Sequence, residues 1–329
     1  MALHGVLDAC HQKLHHMPHM TAHRTIGRQR KHDKYYDVWL EGTGTSTMQL
    51  EDLKQWIGRT ETLHDHLTLA PMAALAATLD RDDPLPKPGD VLAPCWHWLY
   101  FLPRHPSSMI GPDGHPKRGS FLPPVPLPRR MWAGSRLEFF RALQAGTSLS
   151  RTSRITDVSA RQGRSGRLVF VRVHHAISDA QGVAVTEDQD IVYREMPPAG
   201  DTPPSARPAR TDEQFCRRIV PDPVLLFRYS ALTFNGHRIH YDRPYATGEE
   251  AYPGLVVHGP LIATLLIDQL RREHLTVPVR AFEFKAVSPL FDTAHFDVCG
   301  RVDGEVASLW ARGPQGQLAM QATATIGSH

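Results

Sequence analysis

The pattern of apolar and polar positions is most informative between residues 258 and 272, where a nearly unbroken apolar segment follows His258-Gly259-Pro260. Proline is favoured at the first position of a helix, and a small residue before it is typical of a helix start. The pattern predicts a helix from about Pro260 to Arg272 with apolar side chains on nearly every side. Such a helix must be enclosed by other structure rather than lie on a surface.

The last third of the chain shows the two-residue alternation that is typical of β-strands. Segment 281–287 alternates in this way, and residues 305–320 predict a hairpin that turns at Gly313 to Gly316. One buried helix followed by antiparallel strands predicts an α+β fold in which a curved sheet wraps around the helix. Segment 317–326 places its apolar residues on one face: Leu318, Met320, Ala322, Ala324 and Ile326.

A weaker form of the same order is found in the first half of the chain. Residues 71–80 predict a short helix, and strand-like segments follow at 136–143, 149–158, 166–177 and 182–195. A stretch rich in proline and without periodicity then separates the two halves. We therefore expect two α+β domains of similar fold in tandem, at residues 48–196 and 212–329, joined by a linker at 197–211.

The first 47 residues differ from the rest, because they are rich in histidine and have no sustained apolar period. Their histidines could together bind a divalent metal ion. Globular patterning begins only near Met48, however, which favours a disordered extension or an upstream start codon over a metal-binding tail. The histidines concerned are His4, His11, His15, His16, His19 and His23.

Composition excludes several classes of protein. The chain has 329 residues, 41% hydrophobic and 22% charged, and its net charge is +3, with no concentrated basic stripe of the kind that nucleic-acid binding requires. It has no apolar run long enough to span a membrane. Four scattered cysteines argue against a disulfide framework or a zinc site, and a cytoplasmic location is the expectation.

A polar, ring-rich turn precedes the apolar helix and includes Asn235, His237, His240 and Asp242. The amino end of a helix carries a partial positive charge and free backbone N–H groups. The combination of this turn with the helix start predicts an active site built from a loop and a helix N-terminus.

The same segment resembles the hydratase motif of the hot-dog fold, in the MaoC-like group of enoyl-thioester hydratases and dehydratases. The usual form there is Asp-x-Asn-Pro-x-His-x-Asp followed by His-Gly and a helix. Here Asn235 stands at the usual Asp, His237 at the usual Asn and Arg238 at the usual Pro. This variant is similar to the 3-hydroxyacyl-thioester dehydratases and the mesaconyl-C4-CoA hydratases, and with the latter the resemblance extends from about residue 50 to the C-terminus. It implies a double hot-dog fold.

The resemblance, together with the chemistry of the side chains, suggests a role for each residue. His240 is the expected general base, because its ordinary pKa suits proton transfer near neutral pH. Asn235 cannot titrate and is expected to hold the attacking water, while the Gly259 N–H would stabilise the thioester oxyanion. The first half is expected to form walls of the substrate pocket, with the proline-rich loop at 111–130 as a candidate lid. The residues of the second half that are expected to contact the substrate are Tyr229, His237, Arg238, His258 and Asp242.

For several of these residues a structural role is the alternative. Asp242 fits a cap or turn better than catalysis. Tyr229 could donate to the thioester or fill the core at the end of a strand. The segment Trp96 to Phe101 and the pair His174-His175 are interpreted as structural. The basic groups that could bind a distal carboxylate or CoA phosphates are Arg228, Arg238 and Arg243.

Three functions remain open from the sequence. The first is a hydratase of a short branched enoyl-CoA of the mesaconyl/citramalyl type, as the resemblance implies. The second is a fatty-acid-type 3-hydroxyacyl-thioester dehydratase, which would need a long apolar tunnel. The third is a non-catalytic acyl-CoA-binding protein. We expect no cofactor apart from CoA as part of the substrate, no metal, no nucleic-acid or membrane partner, and a homodimer by analogy with hot-dog proteins.

Overall fold

The computed structural model describes residues 50–163, 166–196, 206–274 and 277–327. These residues form one antiparallel ten-stranded sheet in the order β1-β3-β4-β5-β2-β7-β10-β9-β8-β6. Its elements are α1 (Leu50–Lys54), β1 (Thr60–His66), α2 (Leu69–Thr78), β2 (Arg129–Phe139), β3 (Ser148–Gly163), β4 (Gly166–Asp179), β5 (Gly182–Arg194), β6 (Phe215–Ile219), α3 (Pro223–Leu232), α4 (Gly259–Glu273), β7 (Val279–Ala286), β8 (Phe296–Asp303), β9 (Val306–Arg312) and β10 (Leu318–Ile326).

The order of strands shows an internal repeat. From the outer edge inward, the first half runs β1-β3-β4-β5-β2 and the second half runs β6-β8-β9-β10-β7. In both halves one or two α-helices lie between the first and second strands in the chain, α2 in the first half and α3 and α4 in the second, while α1 precedes β1. The halves join where β2 pairs with β7, with Leu137 opposite Phe282. The expected tandem of similar α+β units is therefore present, and the two units meet edge to edge within one chain.

Helix α4 is the predicted apolar helix, and it lies within one residue of the expected boundaries at both ends. All ten residues from Leu261 to Leu270 are buried, and the helix packs on β8, β9 and β10. The helix contains one buried carboxylate, that of Asp268. It forms ion pairs with the guanidinium groups of Arg81, Arg217 and Arg272, at N···O distances of 2.6–3.0 Å. A buried charge is tolerated when it is paired in this way.

The strand predictions for the second half are confirmed at β7, β9 and β10. On β10 the apolar positions from Leu318 to Ile326 are buried, as the alternation requires. A register shift between Leu318 and Met320 interrupts the pairing with β9 and leaves Ala319 buried as well. Strands β1, β6 and β8 and helix α3 were not predicted.

Helix α3 corrects the interpretation of Tyr229, which lies within this helix and not at the end of a strand. The sequence does contain the start signal. Asp222 accepts a hydrogen bond from the Leu225 N–H at 2.8 Å, and Pro223 occupies the first turn. This is the usual arrangement of a helix N-cap.

The predicted boundaries can be compared with the structure only in part. Residues 1–47, expected to be a disordered extension, lie outside the described residues, as does most of the linker. Its last part, however, is fixed on the β9–β10 hairpin, because Leu318 donates to the Arg207 carbonyl at 2.7 Å and Ala209 donates to Gly316 at 2.9 Å. Among the described helices, none has the length and hydropathy to cross a bilayer.

Candidate active site

The polar turn begins where α3 ends. Phe234 adopts a left-handed backbone conformation with φ of 50°, which reverses the chain direction. The Asn235 N–H then donates to the Ser230 carbonyl at 2.8 Å, and residues 238–240 form one turn of 3-10 helix. Val256 donates to the Ile239 carbonyl at 2.9 Å, so the turn lies directly beside the segment that leads into α4.

His240 has the geometry of a base. Its Nδ1 lies 2.7 Å from the Val256 carbonyl oxygen. Because a carbonyl can only accept, Nδ1 carries the proton and Nε2 keeps its lone pair. Burial is the main cause that lowers the pKa of His240, to about 4, so the ring is neutral near pH 7. The residue is 7% exposed and borders the cavity described below.

His258 lies behind this base rather than beside the substrate space. Its ring stacks on the ring of His240 with centroids 3.7 Å apart, and its Nε2 is 2.8 Å from the hydroxyl of Ser230. The residue is 0% exposed, and burial lowers its pKa well below the ordinary value. The expectation that His258 contacts the substrate is therefore wrong for this conformation; its contacts orient the His240 ring.

Gly259 is the first residue of α4 and borders the cavity. At this position a backbone N–H has no acceptor within the helix. The preceding residue, His258, is extended, with φ of −61° and ψ of 132°. The Gly259 N–H is thus available to a ligand at the positive end of the helix.

Asn235 and His237 both border the cavity. The Asn235 Oδ1 accepts from the His237 N–H at 3.0 Å, which leaves the amide NH₂ group free to donate to water. The His237 ring lies between two others, 4.0 Å from the His115 ring and 5.3 Å from the His240 ring. Burial, and then the neighbouring His115, lower the pKa of His237.

Arg238 and Asp242 were expected to contact substrate, but they pair with each other at 2.7 Å outside the cavity lining. The guanidinium also lies over the Tyr245 ring at 4.2 Å, and Asp242 accepts from the Tyr245 N–H at 3.1 Å. These contacts brace the turn, which is the structural alternative. Two further candidate cations lie outside the cavity lining: Arg243 pairs with Asp292, and Arg228 is exposed on α3.

Tyr229 does border the cavity, although it is only 1% exposed. Its hydroxyl is 3.5 Å from the Thr264 hydroxyl, and its ring meets the His258 ring edge to face at 5.1 Å. Burial raises the pKa of Tyr229, so its hydroxyl stays protonated and can donate.

The proline-rich loop of the first half docks on the polar turn. The Arg238 N–H donates to the Asp113 carbonyl at 2.9 Å. Gly114 has a positive φ, and a Cβ there would lie 1.8 Å from the Gly236 carbonyl oxygen, so only glycine permits this contact. The loop thereby brings His115, held by Asp113 at 3.0 Å, to the site. From the sequence this loop was predicted only as a lid, and neither Asp113 nor His115 was identified as a site residue.

A cavity of ≈ 1740 Å³ is lined by residues from both halves of the chain. The first half contributes a polar wall centred on Glu187, which accepts from Ser135 at 2.7 Å and from the Trp98 indole at 3.0 Å. Burial raises the pKa of Glu187, but opposing effects outweigh it and lower the pKa to about 2. The first of these are the hydrogen bond with His97 and the charge of that ring. His175, interpreted as structural, also borders this wall, and burial lowers its pKa to about 4.

Among the residues that the structure describes, two groups of side chains bring possible metal-ligating atoms within 4.8 Å of one another. They are Asp113, His115 and His237, and Glu213, Cys216 and Cys299. In the first group the charge of Arg130 lowers the pKa of both imidazoles, and the same charge opposes a cation there. The expectation of no metal stays a prediction.

Residues 95–292 match the profile of the family described as hydroxyacyl-thioester dehydratase type 2. The chain belongs to this family. It is also 48% identical over 282 residues to the mesaconyl-C(4)-CoA hydratase of Chloroflexus aurantiacus, an alignment that covers 85% of this chain and 100% of that protein. Hydroxyacyl-thioester dehydratases are carbon–oxygen hydro-lyases, and the chain is an enzyme of this class.

Solved structures agree on the fold of this type 2 dehydratase. A MaoC-like dehydratase from Phytophthora capsici superposes with a TM-score of 0.59 at 14% identity, covering 84% of this chain and 97% of its own. A Mycobacterium tuberculosis protein with a double hot-dog fold superposes with a TM-score of 0.52 at 12% identity, covering 84% and 98%. The double hot-dog fold and the MaoC-like resemblance are therefore confirmed.

Proposed function

We propose that this enzyme adds water reversibly to the carbon–carbon double bond of a short branched enoyl-CoA, of the mesaconyl-C4-CoA to citramalyl-CoA type. The observation that carries the proposal is the neutral His240, with Nε2 free, beside the first N–H of α4 on one cavity wall. The identity of 48% to a mesaconyl-C(4)-CoA hydratase supports this substrate class.

In the proposed mechanism His240 Nε2 removes a proton from a water molecule that the Asn235 amide holds. The water oxygen bonds to the β carbon of the thioester, and the electrons of the double bond pass to the thioester oxygen. His240 then returns the proton to the α carbon. Every atom of water is retained, and no oxidation occurs. The reaction therefore requires no redox cofactor, and CoA enters only as part of the substrate.

The enolate-like intermediate carries negative charge on the thioester oxygen. We propose that the Gly259 N–H donates to this oxygen, at the positive end of α4. The protonated Tyr229 hydroxyl is a second candidate donor on the same cavity. The lowered pKa of His240 helps in the last step, because an imidazolium formed in a dry site readily gives up its proton.

The fatty-acid-type dehydratase remains the alternative. That reaction would use the same residues but would require an extended apolar tunnel for the acyl chain. The wall around Glu187, with His97, Ser135 and His175, is polar and partly charged, which favours a short polar acyl group. A non-catalytic binding protein would not need the His240 geometry.

A cytoplasmic location and a homodimer stay predictions. The dimer was inferred from the edge-to-edge contact of hot-dog sheets, and the β2–β7 pairing already provides such a contact within one chain.

Purified enzyme should hydrate mesaconyl-C4-CoA much faster than crotonyl-CoA, which carries a smaller unbranched acyl group with no carboxylate. The measurement is the loss of thioester-conjugated absorbance with the two substrates side by side, and product identity is checked by mass. Faster turnover of crotonyl-CoA and longer enoyl-CoA esters would favour the fatty-acid alternative. Binding of CoA esters without turnover of any of them would favour the binding protein.

The pH dependence should follow from the lowered pKa of His240. Because the neutral ring is the active form, kcat/KM should stay level from about pH 8 to about pH 5 and fall only as the pH approaches 4. The measurement is a short assay after a pH jump, with activity reassayed at pH 7 to exclude acid unfolding. An inflection near 6.5, the ordinary histidine value, would contradict the assignment of His240 as a buried neutral base.

A further inference from the structure

The proposed substrate class places a strong constraint on the cavity. In mesaconate joined to CoA through C4, the free carboxylate is attached to the β carbon, the same carbon that receives hydroxide. A group that binds this carboxylate must therefore lie beside the general base and not at a distant acyl end. A carboxylate taken out of water needs a cationic partner, and guanidinium is well suited because it can bind both oxygens. This inference rests on the proposed function.

Several cations border the cavity, and Arg118 and Arg129 already have partners within the protein. Arg118 donates to the backbone carbonyls of Val125, Leu127 and Pro128. Arg129 pairs with Glu250 at 2.9 Å. Arg151 lies over the Phe101 ring at 5.2 Å, in the wall that also contains Glu187. None of these contacts is with the histidine cluster beside the base.

Arg130 differs from these residues in its position. It is the second residue of β2, pairs with Tyr193 on β5, and borders the cavity together with His115, His237 and His240. Burial is the main cause that lowers the pKa of His115 and the charge of Arg130 is the next, whereas the hydrogen bond with Asp113 raises it. The rings of His115, His237 and His240 form a continuous row, with centroids 4.0 Å and 5.3 Å apart, that ends at the base.

We propose that Arg130 binds the carboxylate on the β carbon of the substrate and so determines the specificity for dicarboxylic acyl groups. Asp113 lies in the same cluster, but among the described residues it forms no ion pair with Arg130; its carboxylate oxygens contact the backbone and ring nitrogens of His115, each at 3.0 Å. An acyl group with methyl in place of carboxylate leaves the half-buried guanidinium without its partner, and such mismatches disfavour binding.

Two unreactive esters test the proposal without turnover. Succinyl-CoA carries a carboxylate on its β carbon and has no double bond, and butyryl-CoA carries a methyl group at the same place. Calorimetric titration should show that the wild-type enzyme prefers succinyl-CoA. In Arg130→Met this preference should fall by about 100-fold, the loss typical of one partner of a buried charge pair. Arg228→Met is the matched control, since Arg228 is exposed on α3 outside the cavity lining, and Arg151→Met tests the competing cation in the wall around Glu187; both should retain the preference.

Arg130→Lys tests the same role if the methionine variant does not fold. It keeps the charge but loses the two-pronged geometry, so the preference for succinyl-CoA should be reduced and not abolished. An unchanged preference in the Arg130 variants, a selective loss in Arg151→Met, or no preference in the wild type would each overturn the proposal. A preference that depends on Arg130 in an enzyme that hydrates neither mesaconyl-C4-CoA nor crotonyl-CoA would instead retain the carboxylate site and refute the proposed reaction.

Discussion

Replacing His240 with asparagine should lower kcat for mesaconyl-C4-CoA by about 10²–10⁴, the range expected for loss of a positioned general base. Asparagine still offers an N–H toward the Val256 carbonyl, which the histidine Nδ1 bonds at 2.7 Å, so the turn keeps that contact. KM should change far less than kcat, because the side chain acts on water and not on CoA. Steady-state kinetics at pH 7 provide the measurement, and circular dichroism checks the fold.

A matched control is available in the first half. His174 lies on β4 with a side chain that is 40% exposed, and it contacts Asp188 at 2.8 Å. His174→Asn removes one imidazole without touching the cavity, and its kcat should equal that of the wild type. Comparable losses in both variants would attribute the effect to folding. Full activity in His240→Asn would refute the assignment of His240 as the general base.

The second large effect is expected from Gly259→Pro, which removes one N–H and no side-chain contact. Proline is tolerated at the start of a helix, and the extended conformation of His258 is the one favoured before proline. The new Cβ would lie 3.7 Å from the Trp132 carbonyl oxygen, an ordinary contact. Loss of this oxyanion donor should lower kcat by about 10²–10³, measured under the same steady-state conditions.

Gly259→Ala distinguishes the effect of losing the N–H donor from the effect of filling the space that glycine leaves. It introduces the same Cβ but retains the N–H, so its kcat should be much closer to that of the wild type than that of the proline variant. An equal loss in both variants would show that close approach of the thioester, and not the hydrogen bond, requires glycine here. No loss in Gly259→Pro would exclude this N–H as the oxyanion donor.

Both halves of the molecule contribute residues to the site. The second half provides the turn at 235–242 and the start of α4, while the first half provides the docked loop, Arg130 and the wall around Glu187. The continuous sheet through β2 and β7 fixes these parts relative to each other. We therefore expect that neither half has the complete site by itself.

The sequence alone was sufficient to predict the parts of the protein that depend on local order. The apolar run after His258 determined α4, the two-residue alternation determined β7 and β10, and the motif around His240 indicated the family. Strand β6 escaped prediction because it has only five residues, and β1 because Leu63 is its one strongly apolar residue. Strand β8 was missed although Phe296, Val298 and Val302 alternate with polar residues. Helix α3 was missed although Asp222 and Pro223 mark its start.

Only the tertiary structure decided which polar side chains meet. His258 and Arg238 are close to His240 in sequence, yet one stacks behind the base and the other pairs with Asp242 outside the cavity. Arg130 and His115 are distant in sequence, yet both border the cavity beside the base. The physical reason is that periodicity and spacing report the burial of a face along one segment. Side-chain partners across a cavity depend instead on how separate segments pack, and no local pattern records that.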